Sequence, residues 1–167
     1  MKVLFDTNVV LDFLLDRKPF SPTATRLVAR VERRELEGFL GATTLTTIHY
    51  LLARARGQQS ALTAVRDLLA LFSVAAVDGR ILSLAADLAF PDFEDAVLHE
   101  AARLAGAGTI VTRNGDDFEG ATLGIDSPDE LEAALAAEEA SEAGEATDAN
   151  QAGEPGEAGE TGESSEP

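Results

Sequence analysis

The chain has 167 residues, 45% of them hydrophobic, which is enough for one domain with a sizeable core. It contains no cysteine, so disulfides and thiolate metal sites are excluded. The formal net charge of −17 is unevenly placed, because ten acids and no base follow residue 137. The first 137 residues carry 20 acids and 13 bases, a net charge of −7 that does not predict bulk affinity for nucleic acid.

Apolar patterns predict alternating strands and helices. The predicted strands cover residues 2–6, 38–42, 73–77, 109–112 and 121–125. The predicted helices cover residues 8–15, 21–35, 44–56, 60–72, 80–89 and 93–105, and Ser127-Pro128-Asp129-Glu130 is a capping box that opens a last helix. This alternation predicts an α/β fold with a mainly parallel sheet covered on both faces.

The last part of the chain, "ASEAGEATDANQAGEPGEAGETGESSEP", has no large apolar residue. It cannot bury enough surface to offset the entropy of ordering, so we expect a domain of residues 1–137 and an acidic disordered tail of residues 138–167. Asp6 and Asn8 interrupt the apolar run that a signal peptide would need, and no run approaches the ~20 residues of a membrane helix. We expect a cytoplasmic protein without membrane contact.

The first polar motif ends the opening strand in "MKVLFDTNVV". Ligand sites of parallel sheets lie beyond the carboxyl ends of the strands, so Asp6 lies where a functional residue is expected. A structural alternative is that Thr7 or Asn8 caps the next helix while Asp6 interacts with the helix dipole.

The second motif, "FPDFEDAVLHEAA", places Asp92, Glu94 and Asp95 at a helix start. Three carboxylates so close together repel one another unless a cation relieves them. The structural alternative is a capping pair formed by Asp92 and Asp95. His99, one turn later, is more typical of a partly exposed helix residue than of a metal ligand.

The third motif, "TIVTRNGDDF", ends a strand at Thr112 and continues with Arg113, Asn114, Asp116 and Asp117. An ordinary turn is the structural alternative. Arg113, beside the acids, is the best single candidate for contact with a phosphate. Together the three motifs offer oxygen ligands without cysteine or paired histidine, a set that favours Mg²⁺ or Mn²⁺ and predicts metal-assisted phosphodiester hydrolysis.

The combination of "VLFDTNVVLD", "FEDAVLHEAA" and "IVTRNGDDF" resembles the PIN-domain family, in particular the toxin ribonucleases of VapBC toxin–antitoxin pairs, over residues 1–136. The resemblance implies a PIN-like three-layer α/β/α fold, dependence on Mg²⁺ or Mn²⁺ and cleavage of single-stranded RNA. It also implies an antitoxin partner and a homodimer.

The resemblance matches Asp6 to the family's first acidic motif and Asp95 to its helix-borne acid. The catalytic candidates are Asp6, Asp95, Asn114 and Asp117. The metal ligands expected are Asp6, Asp95 and Asp92. The substrate-binding candidates are Thr7, Asn8 and Arg113.

Two positions depart from the family's pattern. Thr47 stands about where the family commonly has a glutamate, and Asn114 replaces the last acid of a Thr-Arg-Asp motif. Asp116, Asp117 or the Asp92–Glu94 pair are the acids available to compensate. The departures favour a site for one metal ion. They also support an alternative function, a catalytically degenerate PIN domain that binds RNA or protein without cutting.

Two groups of arginines are candidates for holding RNA, namely Arg26, Arg30 and Arg33 on one helix face and Arg54 and Arg56 at the end of another. The structural alternative for the first group is a solvated helix face neutralised by its neighbours Glu32, Glu35 and Glu37. A phosphotransfer domain with Asp6 as nucleophile is a third function, but Asn8 replaces the second acid that such a domain uses.

Overall fold

The structure is a computed structural model that describes residues 1–151, with side chains to residue 141. The strands are β1 (Lys2–Phe5), β2 (Glu37–Gly41), β3 (Ser73–Ala75), β4 (Thr109–Val111) and β5 (Gly124–Asp126). The α-helices are α1 (Thr7–Leu14), α2 (Ser21–Glu32), α3 (Ala42–Arg56), α4 (Gln58–Leu71), α5 (Gly79–Ala86), α6 (Phe93–Ala105) and α7 (Pro128–Gln151). Every predicted element is present. A short 3₁₀ helix, Gly115–Phe118, lies after β4, where an ordinary turn was the structural alternative.

The five strands form one parallel sheet in the order β3-β2-β1-β4-β5. The predicted α/β class with a mainly parallel sheet is therefore confirmed. Strand β1 lies in the middle, and its last residue Phe5 is in register with Val111 at the end of β4. Asp6 continues this pairing, since its backbone N–H donates to the Val111 carbonyl at 3.0 Å. The polar motifs that follow β1 and β4 consequently lie side by side.

Helices cover both faces of the sheet. Leu4, Phe39 and Ile110 share one face and pack in a core cluster with residues of α5 and α6. Phe5 points to the opposite face, because side chains alternate along a strand, and its ring contacts Phe72 at 5.3 Å between centroids. Apolar burial on both faces explains why the strands read as short unbroken apolar runs.

Helix starts differ in part from the sequence predictions. The capping box before α7 is confirmed, since the Ser127 N–H donates to Glu130 and the Glu130 N–H donates to the Ser127 hydroxyl. Ser21, the first residue of the predicted helix 21–35, lies in the first turn of α2, directly after the N-cap Phe20. Its hydroxyl donates to the Asp16 carboxylate at 2.7 Å, so it is not available to cap the backbone.

The described chain divides at residue 133. One compact unit spans Met1–Ala133, and the second begins at Ala134. Residues 138–151, which the sequence predicted to be disordered, continue helix α7, in keeping with their alanine and glutamate content. The rest of the predicted tail lies outside the described residues, so the division at residue 137 stays a prediction. No helix within residues 1–151 is long and apolar enough to cross a membrane.

Strand β2 depends on a glycine at its second residue. A Cβ at Gly38 would lie 2.7 Å from the Phe72 ring and 2.9 Å from Val31. We therefore expect Gly38→Ala to lower the free energy of unfolding by about 1–3 kcal/mol, the usual cost of overpacking. Gly108→Ala is the control, because no atom lies within 4 Å of its added carbon. Urea melts of both variants test this, and equal midpoints would contradict it.

Candidate active site

A cleft of about 290 Å³ opens where β1 and β4 end. Its polar lining residues are Asp6, Thr7, Asn8, Arg17, Thr47, Glu94, Asp95, Asn114 and Asp117. The apolar ones are Leu11, Leu51 and Leu98. The fold thus brings six of the predicted site residues to one surface from three separate motifs. Thr47 lies in the cleft as well, in agreement with the place at which the sequence analysis put it.

Three donors fix the Asp6 carboxylate. The Thr112 hydroxyl donates to Oδ2 at 2.7 Å, the Asn8 side-chain amide donates to the same oxygen at 2.6 Å, and the Thr7 N–H donates to Oδ1. Asp6 itself is the N-cap of α1, whereas the structural alternative expected Thr7 or Asn8 there. The functional role of Asp6 stays a prediction. Burial raises the pKa of Asp6, and the hydrogen bonds from Thr112 and Thr7 oppose that rise.

Asn8 joins the first motif to the third. Its amide donates to Asp6 and to the Thr112 hydroxyl, while its Oδ1 accepts from the Arg113 N–H at 3.2 Å. The Asn114 N–H donates to the Thr112 hydroxyl at 3.1 Å. Thr112 was not among the predicted site residues, although a hydroxyl at a strand end was a usable signal. Asn8 and Thr112 therefore position Asp6 and the segment that carries Asn114.

Asp95 lines the cleft from helix α6. Its pKa is raised to about 7, first by burial and then by the negative charge of Asp6, Asp92, Asp117 and Glu94. The carboxylates repel one another, as the sequence motif suggested. A bound cation would relieve this repulsion.

The positive charge in the cleft comes from a residue that the sequence analysis missed. Arg17 lines the cleft from the loop after α1. The acids that line it are Asp6, Glu94, Asp95 and Asp117. Four carboxylates against one guanidinium would repel an anionic ligand unless a cation lay between them.

The residues present fit one hard cation with a small protein ligand set. In the described part of the chain, no three acidic or histidine side chains are grouped so as to form a ready metal site. Mg²⁺ commonly takes one or two protein carboxylates and keeps several waters, a requirement that Asp6 and Asp95 meet. The carboxylate crowding around Asp95 agrees with such an ion.

Two predicted residues lie outside the cleft. Asp92 is the N-cap of α6, where its carboxylate accepts from the Glu94 N–H at 2.6 Å. Arg113 is directed elsewhere: its Nε lies 3.1 Å from the buried carboxylate of Asp12, and its guanidinium lies 4.2 Å from the centroid of the Phe20 ring. A metal role for Asp92 and a phosphate role for Arg113 stay predictions.

His99 differs from its predicted environment. It is 1% exposed, not partly exposed. Its Nε2 accepts from the Thr122 N–H at 3.1 Å, and its Nδ1 lies 3.2 Å from the Glu100 carboxylate. Burial lowers the pKa of His99 although Glu100 opposes this. The loop before β5, which the sequence of α6 does not reveal, supplies the partner that makes burial possible.

The arginine face of α2 is largely neutralised, as the structural alternative proposed, although by a different set of acids. Arg26 and Arg30 pair with Glu132, and Arg30 and Arg33 pair with Glu35. On helix α3, the Arg54 guanidinium donates to the Tyr50 hydroxyl at 2.8 Å. None of these arginines lines the cleft described above.

The raised pKa of Asp95 predicts a pH dependence of stability in metal-free protein. A pKa higher in the folded than in the unfolded state stabilises the protein below pH 3.8, and the stabilisation is lost as the pH rises through about 7. Replacement by asparagine removes the charge, so Asp95→Asn should become more stable than the wild type at pH 8, by roughly 3 °C or more in Tm. Thermal melts of Asp95→Asn and wild type in chelator between pH 4 and pH 8 test this. A difference in Tm between the two proteins that does not change with pH would contradict it.

Comparison with known proteins identifies related sequences and structures. The profile of the PIN domain matches residues 2–116. No curated protein matches the chain. Since the profile covers more than half of the chain, the resemblance to the family that the motifs suggested is confirmed.

Three solved structures of similar fold illustrate the likeness. A toxin–antitoxin complex from Klebsiella pneumoniae is 21% identical, with TM-score 0.57, over 75% of this chain and 97% of that one. FitAcB from Neisseria gonorrhoeae is 18% identical, with TM-score 0.57, over 75% and 97%. The Sarcin-Ricin loop cleaving toxin VapC20 from Mycobacterium tuberculosis is 21% identical, with TM-score 0.56, over 70% and 93%. At these identities the likeness concerns the fold, which is PIN-like.

Proposed function

This chain belongs to the PIN domain family, and we propose that it is a metal-dependent endoribonuclease that cleaves phosphodiester bonds of single-stranded RNA. One observation carries the proposal: Asp6, Asp95 and Asp117 converge on a single cleft at the carboxyl ends of β1 and β4. Burial and, after it, the charges of the neighbouring carboxylates raise the pKa of Asp95, and this crowding supports a cation between them.

Asp6 and Asp95 would hold the ion, which we propose to be Mg²⁺ or Mn²⁺ because the donors are hard oxygens. Bound there, the ion would supply charge neutralisation for the phosphate and activation of a water for attack. Asp92, whose Oδ1 caps α6, would join as a third ligand through its other carboxylate oxygen.

The chain's own residues would position the substrate. Hydrogen bonds from Thr112 and Asn8 hold Asp6 in one orientation before any substrate arrives. Asn114 and Asp117 line the cleft with the two ligands, where an amide and a carboxylate can orient a water or a ribose hydroxyl. Arg17 offers a counter-charge for a phosphate oxygen.

A second candidate function is a PIN domain that binds RNA or protein without cutting it. The observation that favours it is the presence of Thr47 and Asn114 in the cleft at positions where the family commonly has acids. Fewer carboxylates weaken metal affinity, since ligand charge sets that affinity. The two functions make the same prediction for fold and opposite predictions for metal-dependent cleavage.

We propose an antitoxin protein as partner. Solved structures with the same fold include toxin–antitoxin complexes, among them VapBC and FitAB assemblies bound to DNA. A homodimer also stays a prediction. Within α3, Ile48 and Leu52 are buried in the core, whereas Tyr50 is 57% exposed.

The test of the proposed function is cleavage of a single-stranded RNA by the purified protein. We expect products with millimolar Mg²⁺ or Mn²⁺ and none after addition of a chelator. A hairpin of the same sequence serves as control for the single-strand requirement. Binding of the strand without cleavage at any metal concentration would overturn the nuclease and favour the binding module.

A further inference from the structure

A second cavity lies beside the cleft. It has a volume of about 240 Å³ and is lined by Pro19, Phe20, Thr23, Arg113, Ser127 and Asp129, among others; we call it the Phe20 cavity. Two chain segments reach both sites. The loop after α1 contributes Arg17 to the cleft and Phe20 to the cavity, and the end of β4 contributes Asn114 to the cleft and Arg113 to the cavity.

From this arrangement we propose that the Phe20 cavity binds one unpaired nucleobase of an RNA strand whose neighbouring phosphate lies in the cleft. The inference rests on the proposed function, because it assigns a further part of the same RNA substrate. Arg113 and Asn114 are consecutive residues, whose Cα atoms are about 3.8 Å apart, so the two sites are neighbours and could take adjacent parts of one strand.

The walls of the Phe20 cavity suit the flat face of a base. Phe20 is 43% exposed, and the Arg113 guanidinium covers one face of its ring at 4.2 Å from the centroid. A base would therefore stack on the outer side of this pair and not between the two groups. Unpaired bases stack on aromatic rings and on guanidinium planes. The ion pair of Arg113 Nε with Asp12, which is fully buried, holds the guanidinium in place for such stacking.

Charge in the Phe20 cavity favours a neutral group over a phosphate. Arg113 is paired with Asp12, and Asp129 places a negative charge at the cavity wall. Arg26, which donates to the Thr23 hydroxyl, is itself paired with Glu132. Because both guanidinium groups are paired, a neutral base fits better than a second phosphate. The cavity therefore complements the cleft, which takes the phosphate through a cation.

Asp129 would select among the bases. Its Oδ1 accepts from the Thr23 hydroxyl at 2.7 Å, and a carboxylate has further acceptor sites for N–H donors. Guanine offers two adjacent donors, its ring N–H and its exocyclic amino group. We therefore assign guanine as the preferred base in the Phe20 cavity.

The experiment is binding of a labelled single-stranded RNA octamer, measured by fluorescence anisotropy with Ca²⁺ present to neutralise the cleft. Each position of the octamer is replaced in turn by an abasic nucleotide. For the wild type we expect one position at which the loss of the base weakens binding about tenfold. In Phe20→Leu the same replacement should cost less than twofold, because leucine keeps the apolar bulk without the ring.

Tyr50→Leu is the matched control, since Tyr50 is an exposed aromatic residue that lines neither site. It should behave like the wild type at every position, and thermal melts should show that both variants are folded. The inference would be overturned if the abasic nucleotide weakened binding equally in Phe20→Leu and in the wild type. It would also be overturned if no abasic position weakened wild-type binding strongly. The absence of RNA binding by the wild type would overturn it as well.

A second arm tests the base preference. At the sensitive position, replacing guanine by inosine removes the amino group and should weaken wild-type binding about threefold, with no change in Asp129→Asn. The same loss in both proteins would overturn the assignment to Asp129. Incubation of the same RNA with Mn²⁺ in parallel samples separates the base site from the nuclease. Intact RNA together with the effect of the abasic position would contradict only the nuclease. Cleavage without that effect would contradict only base binding in the Phe20 cavity.

Discussion

Replacing Asp6 or Asp95 by asparagine should abolish stabilisation of the protein by Mn²⁺. An ion that binds only the folded state adds about 2.7 kcal/mol to the free energy of unfolding at a hundred times its Kd. Asparagine keeps the shape of each side chain but removes a charged ligand, so this increment should disappear in both variants. Thermal melts with and without millimolar Mn²⁺ measure the difference.

Two further acids make the experiment selective. Asp116→Asn is the matched control, because Asp116 neighbours Asp117 in sequence but does not line the cleft, and it should keep the full metal response. Asp92→Asn distinguishes a helix-capping role of Asp92 from a metal-binding role. Asparagine caps a helix about as well as aspartate, so loss of the metal response in this variant would identify Asp92 as a metal ligand. Unchanged metal stabilisation in Asp6→Asn would instead leave Asp6 with the capping role alone.

Removing the Arg113 side chain should lower the free energy of unfolding more than Gly38→Ala or any of the aspartate-to-asparagine changes. Asp12 is fully buried, and its ion pair is with Arg113 Nε at 3.1 Å. Arg113→Met would leave that carboxylate buried without its partner, at a cost of about 3 kcal/mol or more. Arg54→Met is the control, since it removes an exposed guanidinium from a helix surface and should stay within about 0.5 kcal/mol.

The sign of the pH effect in Arg113→Met follows from the pKa of Asp12. Burial already raises this pKa, and Arg113 opposes the rise. Without the guanidinium the pKa should increase further, so the variant should lose stability as the pH rises from 4 to 8. The double variant Asp12→Asn with Arg113→Met should recover most of the loss. Urea melts at both pH values measure this, and equal midpoints for Arg113→Met and wild type would contradict the account.

The sheet could be predicted from the sequence because the signals for its strands are local. The apolar runs of β1 and β4 need no distant partner to be recognised, and the rule that strand ends carry the site brought Asp6, Asn114 and Asp117 together. Asp95 on helix α6 was found through its crowded acidic neighbours, whose charges add to the burial that raises its pKa.

The features that the sequence did not predict depend on contacts between residues far apart in the chain. Asp12 reads as an ordinary polar helix residue, and its burial depends on Arg113, about a hundred residues later. The same pair turns Arg113 away from the cleft, where the motif alone suggested a phosphate contact. His99 is buried because Thr122 meets its ring, a contact that no helical periodicity contains.

The central claim is most directly tested by the rate of RNA cleavage in wild type and Asp6→Asn at equal protein, RNA and Mn²⁺ concentrations. The loss of an outer-shell partner of a metal site typically costs about 10–100-fold, so the loss of a direct ligand should slow cleavage by at least about 100-fold. Chelator should reduce the wild type to the same residual rate. Cleavage by Asp6→Asn at the wild-type rate, or wild-type cleavage that persists in chelator, would contradict a metal-dependent site at Asp6.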